Sequence, residues 1–356
     1  MPKVVVIGGG WAGCGAAISA RKAGADVVVL ERTDGLLGTG LVGGIFRNNG
    51  RFTAAEEMIA MGGGDLFHLM DKASRHTNIE FPGHQHASLY DVSLMEPMVK
   101  RYMEAMGIEL RMQHRAINVV MDGSAIKAIV VDECENVEGD VFVETTGTAG
   151  PQNNCTKYGN GCAMCVLRCP SFGGRVSMAA KAGIQEKIGK KADGTLAAMS
   201  GSCKLHLDSL APEIRQQLLE TGVAVVPIPQ ELVHTEKLAS KACQQYALPE
   251  FAENVVLLDT GHAKLMTPYF PLDDLRKIPG MENSRYEDPY AGGRGNSMRY
   301  IGMSPRNDDL KVIGLENLFC AGEKAGLLVG HTEAVVTGVL AGHNAVRYAL
   351  GMPLAT

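Results

Sequence analysis

The sequence predicts an α/β protein that is built around a parallel sheet and binds a dinucleotide. Three segments indicate this: a βαβ pattern over 3–34, an apolar strand that runs into small residues over 141–147, and a strand that ends in glycine and glutamate over 317–323. The first strand, 4–7, is β-branched throughout, which is typical of a parallel strand buried on both faces. We therefore expect one layered domain assembled from both ends of the chain.

The glycines after the first strand carry the dinucleotide prediction. Gly8, Gly10 and Gly13 have the G-x-G-x-x-G spacing. In that pattern the first glycine permits a tight turn, the second lets backbone N–H groups approach a pyrophosphate, and the third lets helix and strand pack closely. Glu31 ends the second strand, where a carboxylate accepts hydrogen bonds from a ribose. We predict that these four residues bind a cofactor; a nucleotide-free turn is the alternative.

Composition places the chain among ordinary globular proteins. Its 356 residues are 46% hydrophobic and 21% charged, and its net charge of -5 gives no general attraction to nucleic acid or an anionic membrane. The sequence contains no run long enough for a membrane span and no room for a signal peptide before the first strand, so we expect a cytoplasmic location. In that compartment the nine cysteines are expected to serve metal or redox chemistry rather than disulfides.

The segment 35–50 follows the ribose-binding acid and is too rich in glycine to predict a regular element. A flexible surface loop would expose its apolar residues, among them Leu41 and Phe46. We therefore predict a loop that lies against the cofactor, with Gly40 among the contacts.

The next elements follow from periodicity. The apolar spacing predicts a helix over 92–106 that stops at Gly107, then strands over 108–112 and 117–121 and a hairpin return over 125–132. Farther along, the pattern predicts a helix over 208–221 and strands over 223–228 and 255–259.

Histidines and one lysine are weaker candidates. His84 and His86 alternate as on one side of a strand, and we interpret them as satisfied histidines rather than as catalytic or metal-binding groups. His262 and Lys264 follow a strand, where a strand-end loop could reach a cofactor.

Two further segments identify the dinucleotide as FAD. Thr146 and Gly147 follow a buried strand that resembles the "ATG" strand of two-dinucleotide-domain FAD proteins. Gly322 and Glu323 follow the strand over 317–321, and in glutathione-reductase-like flavoproteins such a glycine and acid contact the flavin diphosphate and ribityl chain. No second G-x-G-x-x-G unit follows a strand, so we expect no dedicated NAD(P)H domain.

The helix after this last strand is expected to face the flavin ring by the same resemblance. His331 and Thr332 begin it, so we predict that both contact the cofactor and that His331 is a proton donor. A helix N-terminus at this place stabilises negative charge on a reduced flavin.

The two ends of the chain resemble one family of FAD enzymes. The segments VVVIGGGWAGCGAA at 4–17, LRKIPGMEN at 275–283 and GLENLFCAGEKAGLLVGHTEAVVTGVLAGHNA at 314–345 are similar to the glucose-inhibited-division-protein-A family and to its relatives, the folate-dependent tRNA uracil-5-methyltransferases. The resemblance implies the FAD fold and, for activity, modification of tRNA uridines. Two departures count against RNA methylation: the chain is shorter than either family, and it has no cysteine between Cys14 and Cys134, where the methyltransferases carry one.

A cysteine cluster in the middle of the chain is not expected from that resemblance. Cys155, Cys162, Cys165 and Cys169 form the order C-x6-C-x2-C-x3-C-P, and its close is similar to a ferredoxin-type motif. We predict that these four thiolates hold a [4Fe-4S] cluster. Structural zinc, a redox-active dithiol at Cys162 and Cys165, and unligated thiols are the alternatives. The spacing does not choose the fourth ligand, for which Cys203 and Cys243 are further candidates.

These observations combine into one expectation. The fold is α/β, with a three-layer, FAD-binding, Rossmann-like domain of glutathione-reductase type over 1–150 and 271–356, and a smaller inserted α+β domain over 151–270.

The expected function is an FAD- and iron-sulfur-dependent oxidoreductase that passes electrons to or from a small molecule or a redox protein partner, with His331 and Cys165 as the catalytic candidates. The alternatives are a flavin- and folate-dependent RNA uracil-modifying enzyme, in which RNA binding is disfavoured by the acidic balance, and an electron-carrier subunit of a larger complex. The chain is expected to bind no membrane, and the sequence does not decide its oligomeric state.

Overall fold

The computed structural model describes residues 1–132, 135–147, 172–190, 192, 194, 198–200, 203–240, 244–266, 270–287, 298–300, 302–326, 328 and 330–356. The helices in these ranges are α1 (Trp11–Lys22), α2 (Arg51–Ala60), α3 (Asp65–Lys72), α4 (Val92–Ala105), α5 (Met178–Lys181), α6 (Pro212–Thr221), α7 (Glu250–Glu253), α8 (Leu272–Leu275) and α9 (His331–Ala349). None of the described helices is long and apolar enough to cross a membrane.

The strands in the same ranges are β1 (Lys3–Ile7), β2 (Asp26–Glu31), β3 (Ile45–Phe46), β4 (Ser74–Phe81), β5 (His84–Tyr90), β6 (Glu109–Met112), β7 (Ala116–Asp122), β8 (Ala125–Val131), β9 (Asn136–Glu138), β10 (Val141–Glu144), β11 (Lys187–Ile188), β12 (Ala198–Ser200), β13 (Cys203–Leu205), β14 (Val223–Pro227), β15 (Asn254–Asp259), β16 (Ala263–Leu265), β17 (Met298–Tyr300), β18 (Gly302–Met303) and β19 (Leu318–Cys320).

A five-stranded parallel sheet of order β19-β10-β1-β2-β6 forms the centre of the molecule. Residues 4–7 of β1 are essentially inaccessible to solvent, because the sheet is covered on both faces. Its strands come from the first 144 residues and from the last strand of the chain, so the predicted α/β fold with a parallel sheet built from both ends is confirmed. The predicted domain boundaries stay predictions.

Helices α1 and α9 lie against each other on this sheet at backbone contact. A Cβ atom added to Gly338 would overlap the carbonyl oxygen of Ala12, and one added to Gly342 would overlap that of Ala16. The absence of side chains at both positions therefore lets the last helix reach the first.

A second, antiparallel sheet of order β13-β16-β15-β14 is formed by residues 203–265. Its central strand β15 alternates between two hydrophobic clusters. Leu257 lies in a cluster with Leu265, whereas Leu258 lies in a cluster with Ile45 and Leu89 of the three-stranded sheet β3-β5-β4. The second sheet is therefore covered on one face by the sheet that carries Ile45.

Most predicted elements are confirmed, with small shifts at their ends. The predicted helix over 92–106 is α4, and Gly107 follows it with a φ of +75°. The helix predicted over 208–221 is wrong at its start: residues 207–209 form a 3-10 turn and α6 begins at Pro212. Proline favours the first helical position, since its missing N–H has no partner there.

The prediction that 35–50 forms no regular element is also wrong. Residues 38–42 form a 3-10 turn, and β3 pairs with β5 through Ile45 and Leu89. Backbone partners from the neighbouring strand and from the glycine turn, where Leu37 N donates to Gly9 O at 2.7 Å, order this segment despite its composition.

His84 and His86 do not share one side of β5. His86 has a φ of +58°, and the pairing of β4 with β5 is interrupted by register shifts, so the regular alternation is lost. His84 is buried and stacks between Phe81 and Tyr246 at centroid distances of 4.3 and 4.5 Å, whereas His86 is exposed.

We expect Gly342→Ala to lower the free energy of unfolding. Alanine gains about 1 kcal/mol of helix propensity over glycine, but a methyl group that overlaps a backbone carbonyl must force the helices apart, at about 1–3 kcal/mol or more. Urea unfolding at pH 7 measures the difference. Gly50→Ala is the matched control, since its Cβ would meet nothing within 4 Å. Equal stability of the two variants would contradict the backbone contact.

Candidate functional site

The turn between β1 and α1 is shaped by two of the predicted glycines. Gly8 has a φ of +102°, and a Cβ there would lie 2.6 Å from the carbonyl oxygen of Thr145. A Cβ on Gly13 would overlap the carbonyl oxygen of Gly8. Both positions therefore exclude a side chain, which holds β1, α1 and the end of β10 together.

Gly10 differs from these two glycines because its Cβ would enter open space. It is the N-cap of α1 and provides no side chain to accept from the first backbone N–H groups. Among the residues that the structure describes, no atom lies within 4 Å of a Cβ built on it. The N-terminus of α1 therefore opens on a space that suits an anionic group such as a pyrophosphate.

Glu31 lies beside this turn with its side chain buried. Its Oε2 accepts from the backbone N–H of Gly9 at 2.7 Å, and its Oε1 accepts from the N–H and the hydroxyl of Thr33, each at 2.9 Å. A carboxylate has about four acceptor positions, so Glu31 keeps capacity for a ribose hydroxyl.

The segment after β2 crosses the glycine turn and packs on Trp11. A Cβ on Gly40 would overlap the indole Nε1 of Trp11, so Gly40 lies against this ring. The Trp11 Nε1 is buried and has no hydrogen-bond acceptor among the described residues. An unsatisfied buried donor of this kind is expected where a ligand with an acceptor binds.

His331 lies at the centre of the next group of residues. Its Nδ1 donates to the carbonyl oxygen of Ile45 at 2.9 Å and lies 3.4 Å from the hydroxyl of Tyr90. Its ring is 5.5 Å from that of Trp11, and a Cβ on Gly43 would overlap it. The loop, β5 and both helix N-termini therefore converge on His331.

The surroundings of His331 fix its charge and tautomer. Burial, the largest cause, together with the positive charges of Lys264 and Arg51, lowers the pKa of the ring to about 4. The ring is therefore neutral at pH 7, with its proton on Nδ1. Its Nε2 is an acceptor, which favours accepting a proton or a hydrogen bond over the proton donation that the sequence suggested.

Thr332 follows His331 in the first turn of α9. Its Oγ1 is buried and has no hydrogen-bond partner among the described residues, and the N-cap Gly330 makes no side-chain cap. Arg51 and Glu333 form an ion pair of 2.7 Å that joins α2 to this turn. The turn is thus held in place and carries a polar atom available to a ligand.

Gly322 begins the 3-10 turn that follows β19. It has a φ of +65°, and its N–H donates to the hydroxyl of Thr337 at 2.9 Å. A Cβ on it would approach that of Ala12 to 2.9 Å, so this turn lies beside the first turn of α1. Glu323, the acid predicted to bind cofactor, is in the same turn and is partly buried.

Thr146 and Gly147 follow β10 at the same edge of the sheet. Thr146 donates its hydroxyl to Glu144 Oε1 at 2.8 Å. Gly147 has a φ of +74°, and a Cβ built on it would meet no atom of the described residues within 4 Å. The structure therefore brings the predicted glycine turn, Thr146, Gly322 and His331 to the carboxyl end of one parallel sheet.

A buried ion cluster under this edge was not predicted. Lys324 pairs with Glu186 and lies 3.7 Å from Glu144, and all three side chains are at most 2% exposed. Glu144 also accepts from the N–H groups of Met178 and Ala179, both at 2.8 Å. The sequence signal that could have indicated this cluster is the lysine directly after Gly322-Glu323, together with the glutamate that ends the β10 strand.

The four cysteines predicted to bind metal, Cys155, Cys162, Cys165 and Cys169, lie outside the described residues, as does Cys243. Cys203 is buried on β13 in the cluster that contains Leu205 and Leu265. Within the described part of the chain, no group of three or more potential ligands from His, Cys, Asp and Glu could hold a metal ion. The cysteine site therefore stays a prediction.

His262 and Lys264, the two candidates that follow β15, have different surroundings. His262 bonds to Glu287 through Nδ1 and lies 3.3 Å from the Ser93 hydroxyl through Nε2. Lys264 is on β16 and is 5% exposed.

Comparison with known proteins gives one family. The model of the family described as glucose inhibited division protein A matches residues 3–255 and 260–353.

Solved structures give the same fold. The chain is similar to Aquifex aeolicus GidA in two crystal forms, with TM-scores of 0.68 and 0.66 and 14% identity in each case; 99% of this chain is covered, against 65% and 67% of the GidA chains. It is also similar to CtdE in complex with FAD, with a TM-score of 0.53 and 12% identity over 98% of this chain and 88% of that one. This chain thus spans about two thirds of the GidA chains.

We expect the stability of the apoprotein to fall between pH 6.5 and about 4, partly because of His331. In this window the unfolded chain binds a proton on His331 that the folded protein does not, so stability is lost as the pH falls. His331→Asn, whose amide can donate to the Ile45 carbonyl, should lose roughly 1–2 kcal/mol less than the wild type between pH 7 and pH 4.5. Urea unfolding at both pH values measures this.

The control for this comparison is His68→Asn, which removes an exposed imidazole and should follow the wild type. Parallel pH profiles for the wild type and His331→Asn would show that the ring is not held neutral by the fold.

Proposed function

The chain belongs to the glucose inhibited division protein A family, and from this premise we propose that it is an FAD-dependent oxidoreductase acting on a small molecule. The observation that carries the cofactor is the uncapped N-terminus of α1 at Gly10, which opens on free space beside the Glu31 carboxylate. Family and fold support an FAD-dependent enzyme, and the reaction type is our proposal.

The residues that would hold FAD have the required chemistry. The N–H groups at the start of α1 suit the pyrophosphate, Glu31 suits the ribose, and Gly322 lies beside the first turn of α1. Trp11 Nε1 and Thr332 Oγ1, which have no hydrogen-bond partner among the described residues, supply one donor and one hydroxyl next to His331. When bound, FAD supplies hydride and single-electron transfer.

The chain's own residues prepare the site for such a reaction. The rings of Trp11, Tyr90 and His331 pack against one another on one side of the site, an arrangement that favours the exclusion of water. His331 presents a neutral Nε2, so it can accept a proton or orient a substrate hydrogen. The Arg51 pair with Glu333 fixes the helix turn that carries it.

We further propose that Cys155, Cys162, Cys165 and Cys169 hold an iron-sulfur cluster, with Cys165 as a ligand, and that electrons pass between it and the flavin or a redox partner in the cytoplasm. The ferredoxin-like close of the motif supports this, and zinc is the alternative.

A second candidate function is modification of RNA uridines. The family match over 3–255 and 260–353 favours it, whereas the net charge of -5 disfavours it. RNA that copurifies with the protein, measured after nuclease-free extraction, would favour this candidate.

Gly10→Val is expected to remove FAD while leaving the protein folded. The added side chain enters the space that the pyrophosphate needs, and its Cβ meets no atom of the described residues within 4 Å. FAD content per chain should fall at least about tenfold, corresponding to about 1.4 kcal/mol or more. Gly50→Val is the control, as its Cβ also enters open space. Full FAD occupancy in Gly10→Val would contradict the site.

The two cofactors are expected together in protein purified without oxygen. We expect flavin absorbance bands over a broad shoulder that bleaches on reduction, with iron and acid-labile sulfide in the same sample. Cys165→Ala should lose most of the iron and keep the flavin, with Cys14→Ala as the control. Protein that contains flavin but neither iron nor sulfide would be consistent with the FAD site and would reject the iron-sulfur cluster. Zinc in place of iron would support the zinc alternative.

A further inference from the structure

A serine, a histidine and a glutamate from three separate parts of the chain are joined by hydrogen bonds. Ser93 lies in the first turn of α4, His262 lies in the turn between β15 and β16, and Glu287 ends the described range 270–287. The Ser93 hydroxyl lies 3.3 Å from His262 Nε2, and His262 Nδ1 bonds to Glu287 Oε1. The imidazole therefore contacts a hydroxyl through one nitrogen and a carboxylate through the other, as the base of an activated nucleophile does.

The Glu287 carboxylate determines which ring nitrogen of His262 carries the proton. An ionised carboxylate only accepts hydrogen bonds, so the neutral ring donates from Nδ1 to Glu287. The lone pair of Nε2 then faces the Ser93 hydroxyl, which can donate to it. His262 is therefore oriented to take the proton of this hydroxyl, which is the step that makes a serine nucleophilic.

Backbone contacts hold α4 against the turn that carries the histidine. The N–H of Val92 donates to the carbonyl oxygen of Thr260 at 3.1 Å. A Cβ on Gly261 would lie 2.8 Å from the carboxylate of Asp91, and Asp91 caps α4 by accepting from the N–H of Ser93 at 2.9 Å. The hydroxyl and the imidazole are thus placed opposite each other by the backbone as well as by their own hydrogen bond.

The glutamate is held independently of the histidine. The Glu287 N–H donates to the carbonyl oxygen of Lys204 on β13 at 2.9 Å, and Glu287 Oε2 lies 3.7 Å from Lys204 Nζ. Because the lysine faces one carboxylate oxygen, the other is left to His262. The side chains of His262 and Glu287 are 22% and 17% exposed, so partial shielding from water strengthens the interaction between them.

The hydroxyl end of this hydrogen-bonded group is open to a molecule from solvent, since Ser93 is exposed. The nearest backbone N–H groups, those of Val92 and Ser93, already donate to Thr260 and Asp91, so they offer little stabilisation to an oxyanion. An acyl group with a readily departing leaving group depends least on such stabilisation. The arrangement therefore suits activated esters, such as aryl esters and thioesters, rather than amides.

We propose that Ser93 is a nucleophile for acyl transfer from activated esters, with His262 as its general base and Glu287 as a positioning residue. The Ser93 oxygen bonds to the acyl carbon, the bond from that carbon to the leaving oxygen or sulfur breaks, and the serine proton passes through His262 Nε2 to the leaving group. Water then releases the acyl group as a carboxylic acid by the same route, without oxidation or reduction. This activity is separate from the FAD chemistry proposed above and does not depend on it.

Diisopropyl fluorophosphate and p-nitrophenyl acetate test the nucleophile in the purified protein. We expect the first reagent to place a diisopropylphosphoryl group on Ser93, with loss of fluoride, as located by peptide mass spectrometry. Ser93→Ala should lose this adduct and hydrolyse p-nitrophenyl acetate at least about tenfold more slowly than the wild type. The position of the adduct in the wild type needs no variant, so it decides the proposal even where a variant fails to fold.

Matched variants separate this serine and this histidine from others on the surface. Ser124→Ala removes an exposed hydroxyl that bonds to Glu316, and it should react with both reagents as the wild type does. His262→Asn should slow the labelling of Ser93 at least about tenfold, because the hydroxyl loses its base. His68→Asn removes an exposed imidazole and should leave the rate unchanged.

The positioning role of Glu287 has its own measurement. Glu287→Gln keeps the size of the side chain and removes its negative charge. Since the substrate does not touch Glu287, kcat for p-nitrophenyl acetate should fall at least about tenfold while KM stays within about twofold. Unchanged kcat would show that Glu287 only supports the fold.

Three results would overturn the nucleophile. The first is the absence of an adduct, or an adduct on a residue other than Ser93. The second is equal ester hydrolysis by Ser93→Ala and Ser124→Ala. The third is hydrolysis that is lost in His262→Asn and kept in Ser93→Ala, since the imidazole itself would then attack the ester.

Discussion

The backbone contact between α1 and α9 is the constraint on which the candidate site depends. Gly338 and Gly342 let the last helix lie against the carbonyl groups of Ala12 and Ala16. Because the two helices are held so closely, their N-termini, at Gly10 and His331, meet at the carboxyl end of the parallel sheet. Both are without side-chain caps, so the edge collects partial positive charge where an anionic cofactor is expected.

A buried ion cluster lies next to the carboxyl end of the parallel sheet. Lys324 lies between Glu144 and Glu186, and Glu144 also accepts hydrogen bonds from Thr146 and from the start of α5. Removing one partner from such a cluster typically costs about 3–5 kcal/mol, because the remaining charges are buried without compensation. The cluster thus joins the turn after β19, which contains Gly322, to the segment that begins at 172, and fixes the geometry of both.

The His331 ring is held by a backbone hydrogen bond and lies near positive charge. On one side the ring bonds through Nδ1 to Ile45, which leaves Nε2 as an acceptor. Lys264 lies on the face of the antiparallel sheet that packs against Ile45, and its positive charge is one of the causes that lower the pKa of His331.

Local sequence determined the parts of this protein that depend on neighbouring residues. The β-branched run at 4–7, the spacing of Gly8, Gly10 and Gly13, and the acid at Glu31 identified the βαβ unit, because all of them lie in the one continuous segment 3–34. The tertiary structure decided what depends on distant residues. Ile45 ordered the glycine-rich segment through pairing with Leu89, and the surroundings of His331 lower the pKa of its ring to about 4, so that the ring is neutral at pH 7. The opposition of Lys204 and Lys264 likewise arises from strand register, which no local pattern specifies.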